Sequence, residues 1–172
     1  MSDPSLTIRA LRATDRRATA RLRALRALRG HRVRTEQLTL TSTAGYRIRA
    51  WIHLPRETPA PAVVLCPGID DAGSVFDDLR CPVTADEVAR AGFVALRFDP
   101  SGRGESWGEE DFGGPEHQDN VDIAVRYLAA RDDVDSSRVG VLSLSLGVSM
   151  AIGAVARLET PAAWVLDWEG PC

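Results

Sequence analysis

Val139-Gly140-Val141-Leu142-Ser143-Leu144-Ser145-Leu146-Gly147-Val148 decides the fold of this chain of 172 residues. It opens as a short continuous apolar run, the pattern of a strand buried on both faces. It then passes through Ser-x-Ser-x-Gly and continues, from Leu146 to Leu158, as a mostly apolar helix. A serine between such a strand and such a helix sits on a sharp bend with its hydroxyl carried above the sheet edge. The bend is crowded, so small residues are needed two before and two after it, at Ser143 and Gly147. The helix N-terminus beneath the bend favours negative charge developing there. The same letters also fit a serine-rich strand-to-helix turn without chemistry.

Working outward, the grammar on both sides agrees with a buried parallel sheet. Ala62-Val63-Val64-Leu65-Cys66 is a continuous apolar run, and Phe93 to Phe98 reads as a second buried strand. Between them Thr84-Ala85-Asp86-Glu87 has the form of a capping box, opening a short helix that Gly92 ends. His117 to Arg131 carries Val121, Ala124, Val125 and Leu128 at i, i+3, i+4 and i+7, an amphipathic helix. Trp164 to Asp167 starts one more strand. Strand and helix alternate, which implies a predominantly parallel sheet with flanking helices and right-handed crossovers, an α/β class. Earlier in the chain, Glu36 to Thr41 and Tyr46 to Leu54 read as strands joined by a turn at Thr43-Ala44-Gly45. In the second of these, Tyr46, Ile48, Ala50 and Ile52 alternate with Arg47, Arg49, Trp51 and His53, as in a half-buried antiparallel strand. Pro55 to Pro61 reads as a surface loop.

Charge divides the chain. Residues 1–34 hold ten arginines against two acids, Asp3 and Asp15, while the whole chain has 21 basic and 24 acidic residues. A basic N-terminal extension, 1–34, is therefore set apart from an acidic domain, 35–172. Leu11, Ala18, Leu22 and Leu25 lie near helical spacing among the arginines. The segment reads as a surface helix, with docking on acidic lipid or nucleic acid and a transit peptide as the competing readings. No aromatic residue is interleaved, so single-strand stacking has no support and no nucleic-acid partner is expected. No apolar run reaches the roughly 18 residues of a transmembrane helix. Cys66, Cys81 and Cys172 are an odd number in no metal-ligand spacing, which argues against a disulfide framework and for a reducing cytoplasm. Gly102-Arg103-Gly104 lacks a third glycine, since Trp107 stands at that position. The chain has no lysine for a phosphate loop. No cofactor and no metal site are expected.

From Thr35 to Trp168 the sequence resembles the α/β-hydrolase family, in particular its esterase and peptidase-like members. Besides the turn at Ser145, three segments match in order. Leu65-Cys66-Pro67-Gly68-Ile69-Asp70 is similar to the loop after the third strand, with proline where histidine is usual. Phe98-Asp99-Pro100-Ser101-Gly102-Arg103-Gly104-Glu105-Ser106 resembles the family's Asp-x-x-Gly-x-Gly-x-Ser loop, which shapes the pocket floor. Val134-Asp135-Ser136-Ser137-Arg138-Val139 resembles the turn into the nucleophile strand. Ser143 departs from the family, which has glycine there. The resemblance implies Ser145 as nucleophile, the amides of Ile69 and Leu146 as oxyanion donors, and Asp167 as a candidate acid, since a few lipases take their acid from that strand. It also implies that the sheet is cut short after about the sixth strand.

The family's order is Ser, acid, His, yet no histidine follows Ser145. His31 lies in the basic extension, His53 on the outward face of an early strand, and His117 at the start of a helix. All three read as solvated. The expected function is a serine hydrolase of ester, thioester or amide bonds, or the front portion of one, acting on a small-molecule or peptide acyl substrate with a base from beyond Cys172. The alternative is a non-catalytic hydrolase-like module that binds or dimerises through an open sheet edge.

Overall fold

The computed structural model of the chain describes residues 32–170. Most of the Arg-rich extension lies outside them, as do His31 and Cys172. β1 (Arg34–Thr41) and β2 (Arg47–Leu54) form an antiparallel hairpin, closed by the turn at Thr43 to Gly45. β2 pairs antiparallel with β4 (Val94–Phe98), and β4 pairs parallel with β3 (Ala60–Cys66). β5 (Val134–Leu144) and β6 (Trp164–Trp168) continue the parallel part. The sheet order is therefore β1-β2-β4-β3-β5-β6. The mostly apolar runs fall in the strands β3, β4 and the second half of β5, as expected of strands covered on both faces.

Among the described residues, three α-helices and one 3-10 turn supply the covers. α2 (Pro115–Ala129) and α3 (Gly147–Leu158) lie on one face, where Val121, Val125, Leu128, Met150 and Ala154 pack against Val64, Leu96 and Val141. α1 (Ala85–Arg90) and the 3-10 turn Gly73–Asp77 lie on the other, where Phe76 and Ala85 pack against Val63, Leu65 and Ala95. The expected capping box is present: Glu87 N–H donates to Thr84 Oγ1 at 3.2 Å, and Thr84 N–H to Glu87 Oε2 at 2.8 Å. Two strands start earlier than their apolar runs. β3 begins at Ala60, which pairs with Val134 across a register shift that accommodates Pro61, a residue with no N–H to donate. β5 thus absorbs the segment expected to be a turn.

His53 is buried, not solvated. Alternation along β2 put it on the outward face, but α1 and the 3-10 turn cover that face where β2 meets β4. Arg97 Nε donates to His53 Nε2 at 3.2 Å, so the ring proton sits on Nδ1 and is donated to Asp86 Oδ1 at 2.9 Å. Arg97 pairs in turn with Asp77 at 2.8 Å and stacks on the Trp51 ring at 4.2 Å. Burial pushes the His53 pKa below its ordinary value; the Asp86 hydrogen bond opposes this and the Arg97 charge reinforces it. The unfolded chain, whose histidine titrates at about 6.5, then binds more protons than the folded one as pH falls below that value. Stability from His53 is accordingly full above about pH 6.5 and is lost as acid reaches the folded pKa. The melting temperature should fall as pH is lowered from about 7 to 5. His53→Gln should melt lower at pH 7.5 and show a shallower fall across the same window. An unchanged slope in that variant would remove His53 as the cause.

Candidate active site

The C-terminal ends of β3, β4 and β5 open on one edge of the sheet, where parallel strands of α/β proteins gather their functional loops. β5 ends at Leu144 and α3 begins at Gly147, so two residues must turn the chain. Ser145 does so in the left-handed region at φ 50. A side-chain-bearing residue there costs about 1–3 kcal/mol and persists only where the surroundings enforce it. The enforcement is visible. Ser145 N–H donates to Trp168 O at 2.8 Å, and Val148 N–H returns to Ser145 O at 3.2 Å. A Cβ on Gly147 would stand 2.5 Å from Pro67 O and 3.0 Å from Cys66 O, so only glycine lets α3 start this close to the loop after β3. The Ser145 side chain is exposed, and among the described residues its hydroxyl has no hydrogen-bond partner.

Ser143 stands in register with Asp167 on β6, and its Oγ donates to Asp167 Oδ1 at 2.9 Å. Gly170 N–H donates to the other carboxylate oxygen at 2.9 Å. The serine that replaces the expected glycine is thus the tether of Asp167, a role that the reading of the sequence missed. Neither partner takes the carboxylate to Ser145 itself.

Gly68 reaches the bend from the other side: a Cβ there would lie 3.5 Å from Ser145 Cβ. Ile69, the next residue, is exposed. Neither the Ile69 nor the Leu146 amide donates a hydrogen bond among the described residues. Under this loop lies a polar network. Asp99 accepts from Gly73 N–H and Glu105 N–H, both at 2.8 Å, tying the 3-10 turn to the glycine loop. Buried Arg103 donates through Nη1 to Gly68 O at 2.7 Å and through Nε and Nη2 to both oxygens of Glu110. That fork holds the Glu110 carboxyl below the usual carboxylate range.

His117 is also buried rather than solvated. Gly113 N–H donates to Nδ1 at 3.1 Å, so Nε2 carries the proton and donates to Ser101 O at 2.9 Å. With both nitrogens spent on backbone, His117 pins the loop before α2 and is not brought to Ser145; His53 is committed to Asp86 and Arg97. Burial pushes the Cys66 thiol up, so it holds no thiolate at neutral pH. Among the described residues no group of His, Cys, Asp and Glu could hold a metal ion, and no helix is long and apolar enough to cross a membrane.

This geometry has solved counterparts. The crystal structure of the hypothetical protein PA2218 from Pseudomonas aeruginosa superposes with a TM-score of 0.67 at 24% identity, over 81% of this chain and 43% of that one. The α/β hydrolase GrgF from Penicillium sp. sh18 gives 0.66 at 21% identity, over 78% and 45%. An esterase of Pyrococcus furiosus, Pf2001, gives 0.67 at 19%, over 81% and 50%. The chain has the α/β-hydrolase fold. In sequence it is 28% identical to the uncharacterized protein PA2218 over 133 residues, 73% of this chain and 34% of that protein. No family model matches. The chain therefore spans about a third of its curated relative and about half or less of these α/β-hydrolase-fold structures.

The tight seating of α3 is directly testable. Gly147→Ala should destabilise the domain by about 1–3 kcal/mol in urea unfolding, the cost of overpacking against backbone that cannot yield. A loss below about 0.5 kcal/mol, the range of an ordinary surface change, would contradict the contact.

Proposed function

We propose that this chain provides the nucleophile and the carbonyl-binding groups of a serine hydrolase that acts on ester, thioester or amide bonds of a small-molecule or peptide acyl substrate. The observation that carries the reading is the positive φ of Ser145 on an enforced strand-to-helix bend with an exposed, unspent hydroxyl. Strain of this kind is kept where it aims a reacting group. Ser145 Oγ attacks the acyl carbonyl carbon, and its proton passes to a histidine from outside residues 32–170. The charge that builds on the carbonyl oxygen is met by the N–H groups of Ile69 and Leu146 and by the positive end of α3. The same histidine gives its proton to the departing alcohol, thiol or amine, and water then releases the acyl group from Ser145. Asp167, held by Ser143 and Gly170, orients that histidine. The esterase among the structural neighbours and the hydrolase-fold geometry support this reading.

A second reading rests on β6. It is an edge strand of the described sheet, and Trp164, Leu166 and Trp168 are 36%, 45% and 44% exposed along one face of it. An unpaired strand with an apolar face favours pairing with a second copy.

Labelling with a fluorophosphonate probe, read by intact mass, tests the first reading. In the protein that carries this histidine, one adduct should form that Ser145→Ala loses, and Asp167→Asn should slow its formation by about tenfold or more, as loss of the orienting acid would. A folded protein that carries the histidine and takes no label would overturn the proposal. For the second reading, sedimentation should show association with increasing concentration, weakened in Leu166→Arg; a monomer at every concentration would refute it.

A further inference from the structure

We propose that Arg103 is a positioning residue that aims the Ile69 amide at the reacting carbonyl, an assignment that rests on the hydrolase reading above. The C=O of Gly68 and the N–H of Ile69 belong to one planar unit, so in the trans form they point in opposite directions. Whatever fixes the Gly68 oxygen therefore fixes the direction of the Ile69 N–H. That oxygen accepts from Arg103 Nη1 at 2.7 Å, and the same nitrogen also lies 3.2 Å from Asp71 O. Without this hold a glycine-containing peptide can rotate about its flanking bonds, because Gly68 lacks the Cβ that restricts other residues. Rotation would turn the N–H away.

Arg103 is itself held on all sides. It is only 7% exposed. Its Nε and Nη2 meet both oxygens of Glu110, and Glu110 Oε1 also accepts Phe112 N–H at 2.9 Å. One guanidinium thus joins the loop after β3 to the loop before α2. Only a planar fork with several N–H groups can serve a carboxylate and a carbonyl together; a lysine ammonium cannot match both. The flanking glycines show that the chain is shaped for this placement. Gly102 and Gly104 have φ of 76 and 53, and a Cβ on either would collide, with Glu110 N at 2.5 Å and with Asp99 Oδ2 at 2.2 Å. The Gly-Arg-Gly run therefore turns Arg103 inward.

The test compares Arg103→Lys with the parent protein that carries the histidine serving Ser145. Three readouts are used: the rate of fluorophosphonate addition at Ser145, amide hydrogen exchange in a peptide covering residues 66–72, and thermal melting. In a folded Arg103→Lys the maximal addition rate should fall about tenfold or more, a part of what removing an oxyanion donor costs, with the half-saturating probe concentration unchanged within about twofold. Exchange in 66–72 should quicken while β3 and α3 stay protected. In an Ile69→Pro background, which deletes the N–H, Arg103→Lys should add no further loss, because the two changes act through one group. Parent-like addition and exchange in Arg103→Lys would overturn the proposal, as would an additive loss with Ile69→Pro. A parent that takes no label would overturn the hydrolase reading; exchange then still decides the clamp, supporting it if 66–72 loosens and refuting it if not.

Discussion

The contact on which the site depends is the seating of Gly147 against the carbonyls of Pro67 and Cys66. It brings the first turn of α3 against the end of β3, leaving too little chain between β5 and α3 for a relaxed connection. Ser145 must then take a positive φ, and its side chain is thrown outward at the sheet edge. The strain is local, about 1–3 kcal/mol. It is opposed by the burial of β3, β5 and α3 against one another and by the hydrogen bond from Ser145 N–H to Trp168 O. β6 is thus more than another strand. Through Trp168 it grips the bend, and through Asp167 it holds the residue two before it.

A second layer of order lies beneath the loops. Asp99, Arg103, Glu110 and His117 are charged or titratable groups at least partly withdrawn from water; Asp99, Arg103 and His117 each reach the backbone of another loop, and Glu110 holds the Arg103 fork and the Phe112 N–H. Burying such groups costs free energy unless every partner is in place, so a network of this kind favours one arrangement of the loops over its near alternatives. Arg103 joins the loop after β3 to the loop before α2, and Asp99 joins the glycine loop to the 3-10 turn. Loop positions that would otherwise be soft are fixed by electrostatics rather than by apolar packing.

The sheet was legible because its signals are local: continuous apolar runs, a capping box at Thr84, a glycine stop at Gly92, and the short spacing around Ser145. What failed was non-local. Alternation marked His53 as outward, and only the path of α1 over β2 reverses that. His117 opens a helix, a position that usually faces water, but Gly113 and Ser101 enclose it. Ser143 looked like a flaw in the turn until β6 placed Asp167 opposite it. Arg103 did carry a signal, a charged residue between two glycines in a loop otherwise read as scaffold. A small residue on each side of a large charged one is the pattern of a side chain that must turn inward. Most of the basic extension, with His31, lies outside the described residues.

On the proposed reading, chemistry at Ser145 has two tasks with different structural demands. Binding the carbonyl oxygen requires fixed dipoles, which need no proton transfer and no movement during the reaction. The described residues that would carry that part lie just beyond the ends of β3 and β5, next to the buried core of the sheet. Proton transfer requires a base that samples two charge states, and the two described histidines are unsuited to it because each already donates through one nitrogen and accepts through the other. A third partner would require breaking a buried hydrogen bond, at a cost of about 1–3 kcal/mol. Their fixed tautomers make them structural members of the domain. The same constraint that stabilises the loops therefore excludes their histidines from the chemistry at Ser145.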